Sequence, residues 1–330
     1  MLEVIKPGLE TSIQDWPGRQ GYLKFGFPWS GPMDDWSFRL ANVLVGNPVG
    51  AAGLECQFIG PTLKFQRDGV FAVTGADMQP KLDGQPVPMW TSIAAKAGQT
   101  LELAFAKLGA RAYLAVAGGI TNEVFFGSRS TFHKGGIGGM EGHAIKAGQV
   151  LPVGEGHGQA GRRVKEASRP AIVTDKRWAI EVCRGPNDDW VDAAGHERFL
   201  ATDWKLSAKS DRGGFRLEGP DWTFTEKAYN KPPEHGSEPG NIVDHGYPLG
   251  AINLAGQTPI ILVKDWPDGG GFINPYTVPG CAFWKLGQSK PGETQRIKHR
   301  TGIRATTWRT KWNCRRPATC GRCWSSRVTR

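Results

Sequence analysis

Glycine and proline interrupt this chain too often for long helices to span it. The 330 residues include 45 Gly and 23 Pro, residue types that break helices and mark tight turns. Between the breaks lie short segments rich in β-forming residues, at 2–5, 70–74, 79–82, 87–90, 100–105 and 110–117. Such runs, bounded by turn signals, predict strands. Asp83-Gly84 is the dipeptide that a type I′ hairpin prefers, because both central positions need positive φ. One phrase recurs as KAGQT at 96–100, KAGQV at 146–150 and KPGET at 290–294. Each time, glycine precedes a segment that resumes apolar or alternating residues, as a turn feeding a strand requires. The unequal intervals point to repeated hairpins and not to a solenoid. The chain is therefore expected to be mainly β with a few short helices.

The clearest helix is predicted over 34–47. Asp34 or Asp35 can cap it, placing a carboxylate at the positive end of the dipole. Trp36, Leu40, Val43 and Leu44 share one face at helical spacing. Arg39 and Asn42 lie on another, and Gly46, Asn47 and Pro48 end the run. Residues 154–170, GEGHGQAGRRVKEASRP, are polar, Gly-rich and without period, so they read as a linker. Beyond them, strands are expected at 178–183, 215–217 and 260–264, and a helix over 191–200. The expected organisation is an N-terminal β-barrel half over 1–153, the linker, a C-terminal half over 171–298 and an atypical tail over 299–330. A cleft is expected between the halves, and exchange of a segment between them stays open.

The net charge of +10 suggests nucleic acid only until it is located. Nine of the 41 Lys and Arg lie in 299–330, leaving 32 basic against 31 acidic residues before it. The body is near neutral, so no nucleic-acid partner is expected. Cys56, Cys183 and Cys281 sit singly in apolar segments, as buried free thiols do. No signal peptide is evident, and no apolar run approaches the roughly 20 residues of a bilayer span. A cytoplasmic protein without membrane contact is expected.

Several chemistries are missing. There is no Gly-x-Ser-x-Gly elbow and no Ser/Lys amidase signature. The stretch GGIGGMEGHA (135–144) lacks both the Walker ending and GxGxxG spacing. His133 and His143 are too few and too far apart for a metal site. What remains are polar groups set among glycines: Gln14, Asp15, Arg19, Ser30 and Asp34 in the opening block; Arg129, Ser130 and Thr131 in GSRSTF; and Asn241, Asp244, His245 and Tyr247 in NIVDHGYPLGAI, followed by Asp265 in VKDWPDGGGF. Backbone N–H groups in Gly-rich turns hold anions and carbonyl oxygens, and carboxylates or amides fix N–H donors. The same residue types also shape and brace turns.

Ordered blocks over about residues 2–297 carry a resemblance: GLETSIQDWPGRQGY, SGPMDDWSFRLANVLVGN, LECQFIGPTLKF (54–65), TGAD, YLAVAGGI, GSRST, SDRGGFRLEGP and FWKLGQSKPGE. The chain resembles the carboxyltransferase domains of the urea amidolyase type, also called allophanate hydrolase subunit 2 and related to the third subunit of 5-oxoprolinase. The resemblance implies cyclophilin-like β-barrel folds and transfer of a carboxyl group from carboxybiotin to an acceptor nitrogen. It implies biotin on a separate carrier, a biotin carboxylase, a "subunit 1" partner, and ATP used only through a partner, the chain being inactive alone. Asn241, Asp244, His245 and Tyr247 would serve a small amide acceptor. Gln14, Asp15, Arg19, Arg129, Ser130, Thr131 and Asp265 would serve orientation or the biotin side. DWPDGGGF (265–272) looks more like urea carboxylases than like 5-oxoprolinase subunits. Urea carboxylases more typically carry Asp-Asn-x-Tyr where this chain has His245 after Asp244, which leaves room for guanidine or another amide.

Two other readings stay open: an accessory subunit of an ATP-dependent 5-oxoprolinase or amide hydrolase, and a non-enzymatic regulator of a kinase inhibitor. The tail matches nothing in the family. It is rich in Arg and Trp, free of acids, and holds Cys314, Cys320 and Cys323 without an evident fourth zinc ligand. A reading-frame change near 298–302, or a disordered basic tail, accounts for such text.

Overall fold

The computed structural model describes residues 1–300 and the short strand Val328–Thr329. The expectations for the remainder of the tail, including its cysteines, lie outside the described residues. The described chain is mainly β with a few short helices. It divides into two compact units, one holding Met1–Tyr22, Trp29–Ile172 and the strand Val328–Thr329, the other holding Leu23–Pro28 and residues 173–300.

The first unit has two antiparallel sheets, of six and five strands. Its longest strands, Gly69–Asp77 and Leu108–Val116, are neighbours in the five-stranded sheet. Side chains alternate across a strand, and here both faces are apolar. Ala112, Leu114 and Val116 join Phe71, Val73, Leu54 and Ile13 in a core with Leu2, Val4, Leu63 and Leu101 of the other sheet. Tyr113 and Ala115 face the opposite way, against Phe38, Leu40, Ala41 and Leu44 of the helix Asp35–Leu44. Burying each large apolar side chain contributes roughly 1.5–3 kcal/mol.

That helix starts where expected. Asp34 Oδ1 accepts from the Ser37 N–H at 2.9 Å and Oδ2 from the Ser37 hydroxyl at 2.5 Å, a cap worth about 1 kcal/mol. The face carrying Arg39 and Asn42 is also buried. The Arg39 guanidinium lies 4.1 Å from the Trp16 ring centroid, and Asn42 Nδ2 donates to the Ala51 carbonyl at 2.8 Å.

The recurring phrase is one turn built three times. Gly98, Gly148 and Gly292 take φ of 90°, 82° and 82°. In each copy the next side chain, Gln99, Gln149 or Glu293, accepts from the backbone N–H of the lysine that opens the phrase, at 2.8, 2.8 and 3.0 Å. Asp83 and Gly84 have φ of 49° and 77°, as a type I′ turn needs. Its hairpin is shorter than expected, with Lys81–Leu82 pairing Gln85–Pro86. The strand expected at 87–90 is absent. Trp90 sits at φ 59°, outside the β region, and pairing resumes at Ser92–Ala95.

The second unit contains a closed seven-stranded barrel, which includes Arg177–Arg184, Gly214–Glu218, Thr258–Leu262 and Thr294–His299. A two-stranded ribbon, Asn241–Gly246 with Gly269–Phe272, belongs to the same unit. The helix Ala193–Ala201 is capped by Asp192, whose carboxylate accepts from Gly195 N–H at 2.7 Å. Cys56 and Cys183 are buried, but Cys281 is exposed because it lies in the short turn Gly280–Ala282. No described helix is long and apolar enough to cross a membrane.

His196 gives this unit a pH dependence. Its Nδ1 is 2.8 Å from Tyr276 Oη and its Nε2 is 2.9 Å from the Asp188 carbonyl. Burial, then the charge of Arg184, lower its pKa below the ordinary histidine value. A folded-state pKa below the unfolded one means the unfolded chain binds the proton first, so stability falls as pH drops through about 6.5 and below. The thermal midpoint should show this fall in the wild type, and the fall should be smaller in His196→Asn.

Candidate functional site

The strand Glu10–Gln14 delivers Asp15 to the edge of the first unit, where GSRSTF meets it. Asp15 Oδ1 accepts from the Ser128 and Ser130 hydroxyls at 2.5 and 2.6 Å, and Oδ2 from the Arg129 N–H at 2.7 Å. The Asp15 N–H donates to Ser130 Oγ at 2.9 Å. Arg19 is fully buried and donates to the carbonyls of Ser130 and Phe125 at 2.8 and 3.3 Å. Gln14 donates to Ser12 Oγ and to the Thr131 carbonyl, and its Oε1 accepts from Gly31 N–H at 3.0 Å. Thr131 donates from both N–H and Oγ1 to the Ile13 carbonyl, at 2.9 and 3.0 Å. Arg129 Nε donates to the Asn122 carbonyl at 2.9 Å. Six residues singled out from sequence thus form one network joining 12–19 to 125–131, a latch centred on Asp15. Ser30 Oγ is buried and, among the described residues, has no hydrogen-bond partner.

The same network explains GGIGGMEGHA. A Cβ on Gly138 would run into the Ser130 carbonyl, and one on Gly139 into Thr131 Oγ1. Those glycines permit close approach to the latched segment, a packing role and not a phosphate cradle.

The other candidates lie on the ribbon of the second unit. His245 stands opposite Gly270 and Gly246 opposite Gly269, with a register shift between Asn241 and His245 that marks a bulge. Tyr247 follows, buried, its Oη accepting from the Phe272 N–H at 2.7 Å. The His245 and Tyr247 rings meet edge to face at 5.2 Å. Trp266 Nε1 donates to the Tyr247 carbonyl at 2.9 Å, tying the ribbon to its following segment. Burial pushes the Tyr247 phenol up, and the Asp244 charge adds to this against the Phe272 hydrogen bond.

Asp244 is different. It is exposed and, among the described residues, has no hydrogen-bond or ion-pair partner. A Cβ on Gly269 would stand 3.3 Å from Asp244 Oδ1, and one on Gly270 2.9 Å from Tyr247 Oη. Successive strand residues point to opposite faces, so Asp244 and Tyr247 flank the ribbon from its two sides. Any larger residue at 269 would crowd the carboxylate. Asn241 keeps its side-chain Oδ1 buried and without a partner among the described residues, while its backbone carbonyl accepts from Lys231 Nζ at 2.8 Å. Asp265 belongs to a separate ion pair, its Oδ2 3.1 Å from Arg212 Nε, both side chains nearly fully buried.

Sequence reading passed over Asn274, Phe272 and Arg212. His245 Nε2 lies 3.2 Å from the Phe272 carbonyl and 3.3 Å from Asn274 Nδ2. Asn274 is fully buried, and its Oδ1 has no partner among the described residues. Its N–H donates to Asn187 Oδ1 at 3.0 Å. An Asn within FINPY resembles any turn residue, so only the ribbon pairing distinguishes it. Among the described residues, no group of three or more His, Cys, Asp or Glu is placed to hold a metal ion.

Comparison with known proteins agrees with this architecture. Residues 25–299 match the family model "Carboxyltransferase domain, subdomain A and B". The chain is 39% identical over 300 residues to urea amidolyase of Saccharomyces cerevisiae, covering 89% of this chain and 16% of that protein. It is 36% identical over 299 residues to a 5-oxoprolinase subunit of Escherichia coli, covering 89% of each. The crystal structure of Kluyveromyces lactis urea carboxylase superposes with a TM-score of 0.85 at 37% identity, covering 90% of this chain and 27% of that one. The chain thus spans only a small part of the length of its yeast relatives. On these grounds the chain belongs to the carboxyltransferase domain family, subdomains A and B.

Proposed function

We propose that this chain is the carboxyltransferase component of a biotin-dependent carboxylase, moving a carboxyl group from carboxybiotin to a nitrogen of urea, guanidine or a related amide. The observation that carries the reading is the ribbon: an exposed Asp244, unpartnered among the described residues, beside Gly269 in a run of three glycines, on a strand that opens with Asn241, whose buried Oδ1 also has no partner among the described residues. Buried polar atoms without partners need an explanation, and a planar ureido or urea group carries the N–H donors that both oxygens lack. These residues fit biotin's ureido ring as well as a urea-like acceptor.

Carboxybiotin, when bound, supplies the activated carboxyl group. The chain's own residues then bind and orient. Asp244 accepts N–H groups, His245 and Tyr247 offer the polar surface on the other side of the ribbon, and Asn241 supplies an amide oxygen. The Asp15 latch holds 128–131 in one conformation and so shapes the biotin side, with Gln14, Arg19, Arg129, Ser130 and Thr131 as its braces and Asp265 fixed by Arg212. The carrier, a biotin carboxylase and a subunit 1 partner complete the system, and ATP is consumed in the partner.

The test is reconstitution. With carrier, carboxylase, ATP and labelled bicarbonate, this chain should label urea or a related amide, and avidin should abolish the labelling. A second reading rests on the match to the Escherichia coli 5-oxoprolinase subunit over 89% of both chains. ATP-dependent opening of 5-oxoproline without any biotinylated protein would establish it and overturn the first. Stable capture of a kinase inhibitor without turnover of either substrate would overturn both.

A further inference from the structure

Two thiols of the second unit are drawn together around one guanidinium. Arg300 follows the strand Thr294–His299, which runs parallel to Arg177–Arg184 with His299 opposite Val182. Its N–H donates to the Val182 carbonyl at 2.9 Å, so the pairing continues and brings Arg300 into register with Cys183. Side chains opposite one another across a sheet share a face. On its other edge the same strand sets Cys183 opposite Thr277, and the chain runs on from there into the turn Gly280–Ala282, which holds Cys281. Arg300 Nη1 closes the circuit by donating to Cys281 Sγ at 3.1 Å. The two sulfurs lie within electrostatic range. Burial pushes the Cys183 thiol up, Arg300 pulls it back, and Cys281 pushes it up again.

The pair is unequal in a way that chemistry can use. Cys281 is exposed and Cys183 is buried. Attack on an oxidant needs access and a thiolate, and hydrogen bonds to an ionised partner are the stronger ones, so the guanidinium steadies the attacking sulfur. A second thiol beside the first gives the oxidised sulfur a reversible exit. Cys183 is fixed by strand pairing on both edges. Closing to the about 3.5–4.5 Å between Cβ atoms of a disulfide therefore falls to the exposed turn. Cys56, in the other unit, is fully buried and its thiol is pushed far up by that burial, which makes it an internal control.

We propose that Cys281, beside Arg300, is a modification site for hydroperoxides and that Cys183 resolves it, tying the strand Arg177–Arg184 to the turn Gly280–Ala282 by a disulfide. Cys281 sulfur attacks one peroxide oxygen. The S–O bond forms, the O–O bond breaks, and the other oxygen leaves with the Cys281 proton. Cys183 sulfur then attacks Cys281 sulfur. The S–S bond forms, the S–O bond breaks, and hydroxide leaves with the Cys183 proton as water. Two thiols are oxidised to one disulfide while hydrogen peroxide is reduced to two waters.

The test treats the reduced full chain with stoichiometric hydrogen peroxide, alkylates it, digests it without reductant and maps the peptides by mass spectrometry. We expect peptides joined through Cys183 and Cys281, with Cys56 still fully alkylated. In Cys183→Ser, dimedone should capture a sulfenic acid on Cys281, and in Cys281→Ser, Cys183 should stay reduced. Arg300→Gln should slow disulfide formation about two- to fivefold, the worth of an exposed charge contact. Cys281 joined instead to Cys314, Cys320 or Cys323, a link between two copies, or Cys281 left reduced would each overturn the proposal. An unchanged rate in Arg300→Gln would remove the guanidinium from the step. The measurement needs neither biotin nor ATP, so it stands or falls separately from the carboxylation assay.

Discussion

Asp244→Ala is expected to cut carboxyl transfer roughly 10- to 100-fold while leaving the thermal midpoint unchanged. The two halves of that expectation come from the same fact. Asp244 is exposed and has no partner among the described residues, so removing it breaks no native contact, and such surface substitutions usually stay within about 0.5 kcal/mol. A carboxylate that accepts N–H groups from a bound planar molecule contributes about 1.5–3 kcal/mol, which converts to the stated loss at 1.36 kcal/mol per tenfold. Steady-state turnover in the reconstituted complex and a melting curve of the same preparation check both halves. Full turnover in the variant would remove Asp244 from the site. A lowered midpoint would make it a structural residue instead.

Asp15→Ala is expected to do the reverse, lowering the stability of the first unit by about 3–4 kcal/mol. The carboxylate receives three hydrogen bonds of 2.5–2.7 Å from Ser128, Ser130 and the Arg129 backbone. Bonds to a charged group contribute roughly 1.5–3 kcal/mol each, but contributions in one network do not add, so the loss is expected to fall below even the lower end of the simple sum. Both serines are fully buried, and without Asp15 their hydroxyls lose an acceptor in a place that water cannot readily reach. At about 2–4 °C per kcal/mol for a unit of this size, the midpoint should fall by roughly 10 °C. Asp15→Asn, which keeps one acceptor oxygen, should recover part of it. A shift of less than 2 °C in Asp15→Ala would show that the loop holds itself. Set beside Asp244, this pair of variants separates a carboxylate that builds the protein from one that faces outward.

What could be read from sequence was what is decided within a few residues. The Asp34 cap is a contact three residues long. The Asp83-Gly84 turn and the three lysine-to-glutamine or glutamate turns close on themselves. Alternation along Leu108–Val116 sets which side chains reach the core as soon as a strand forms. The same local reading placed a strand at 87–90, where the left-handed Trp90 interrupts the sheet, because the apolar residues there look like strand residues until pairing is known.

The polar residues show the other limit. Sequence marked Gln14, Asp15, Arg19 and 129–131 as one chemical class with Asn241, Asp244, His245 and Tyr247, since each is a polar group among glycines. The Asp15 bonds span 113 to 115 positions, the Arg212–Asp265 pair 53, and the His245–Asn274 contact 29. Composition and spacing determined that this chain is a mainly β protein built on short strands and glycine turns, and its ordered blocks determined its family. Which carboxylate is latched and which is left uncovered was decided only by tertiary structure. Each depends on a partner brought close by strand pairing and loop packing, and a side chain's charge, hydrogen bonds and reach are set by that neighbour and not by its place in the chain.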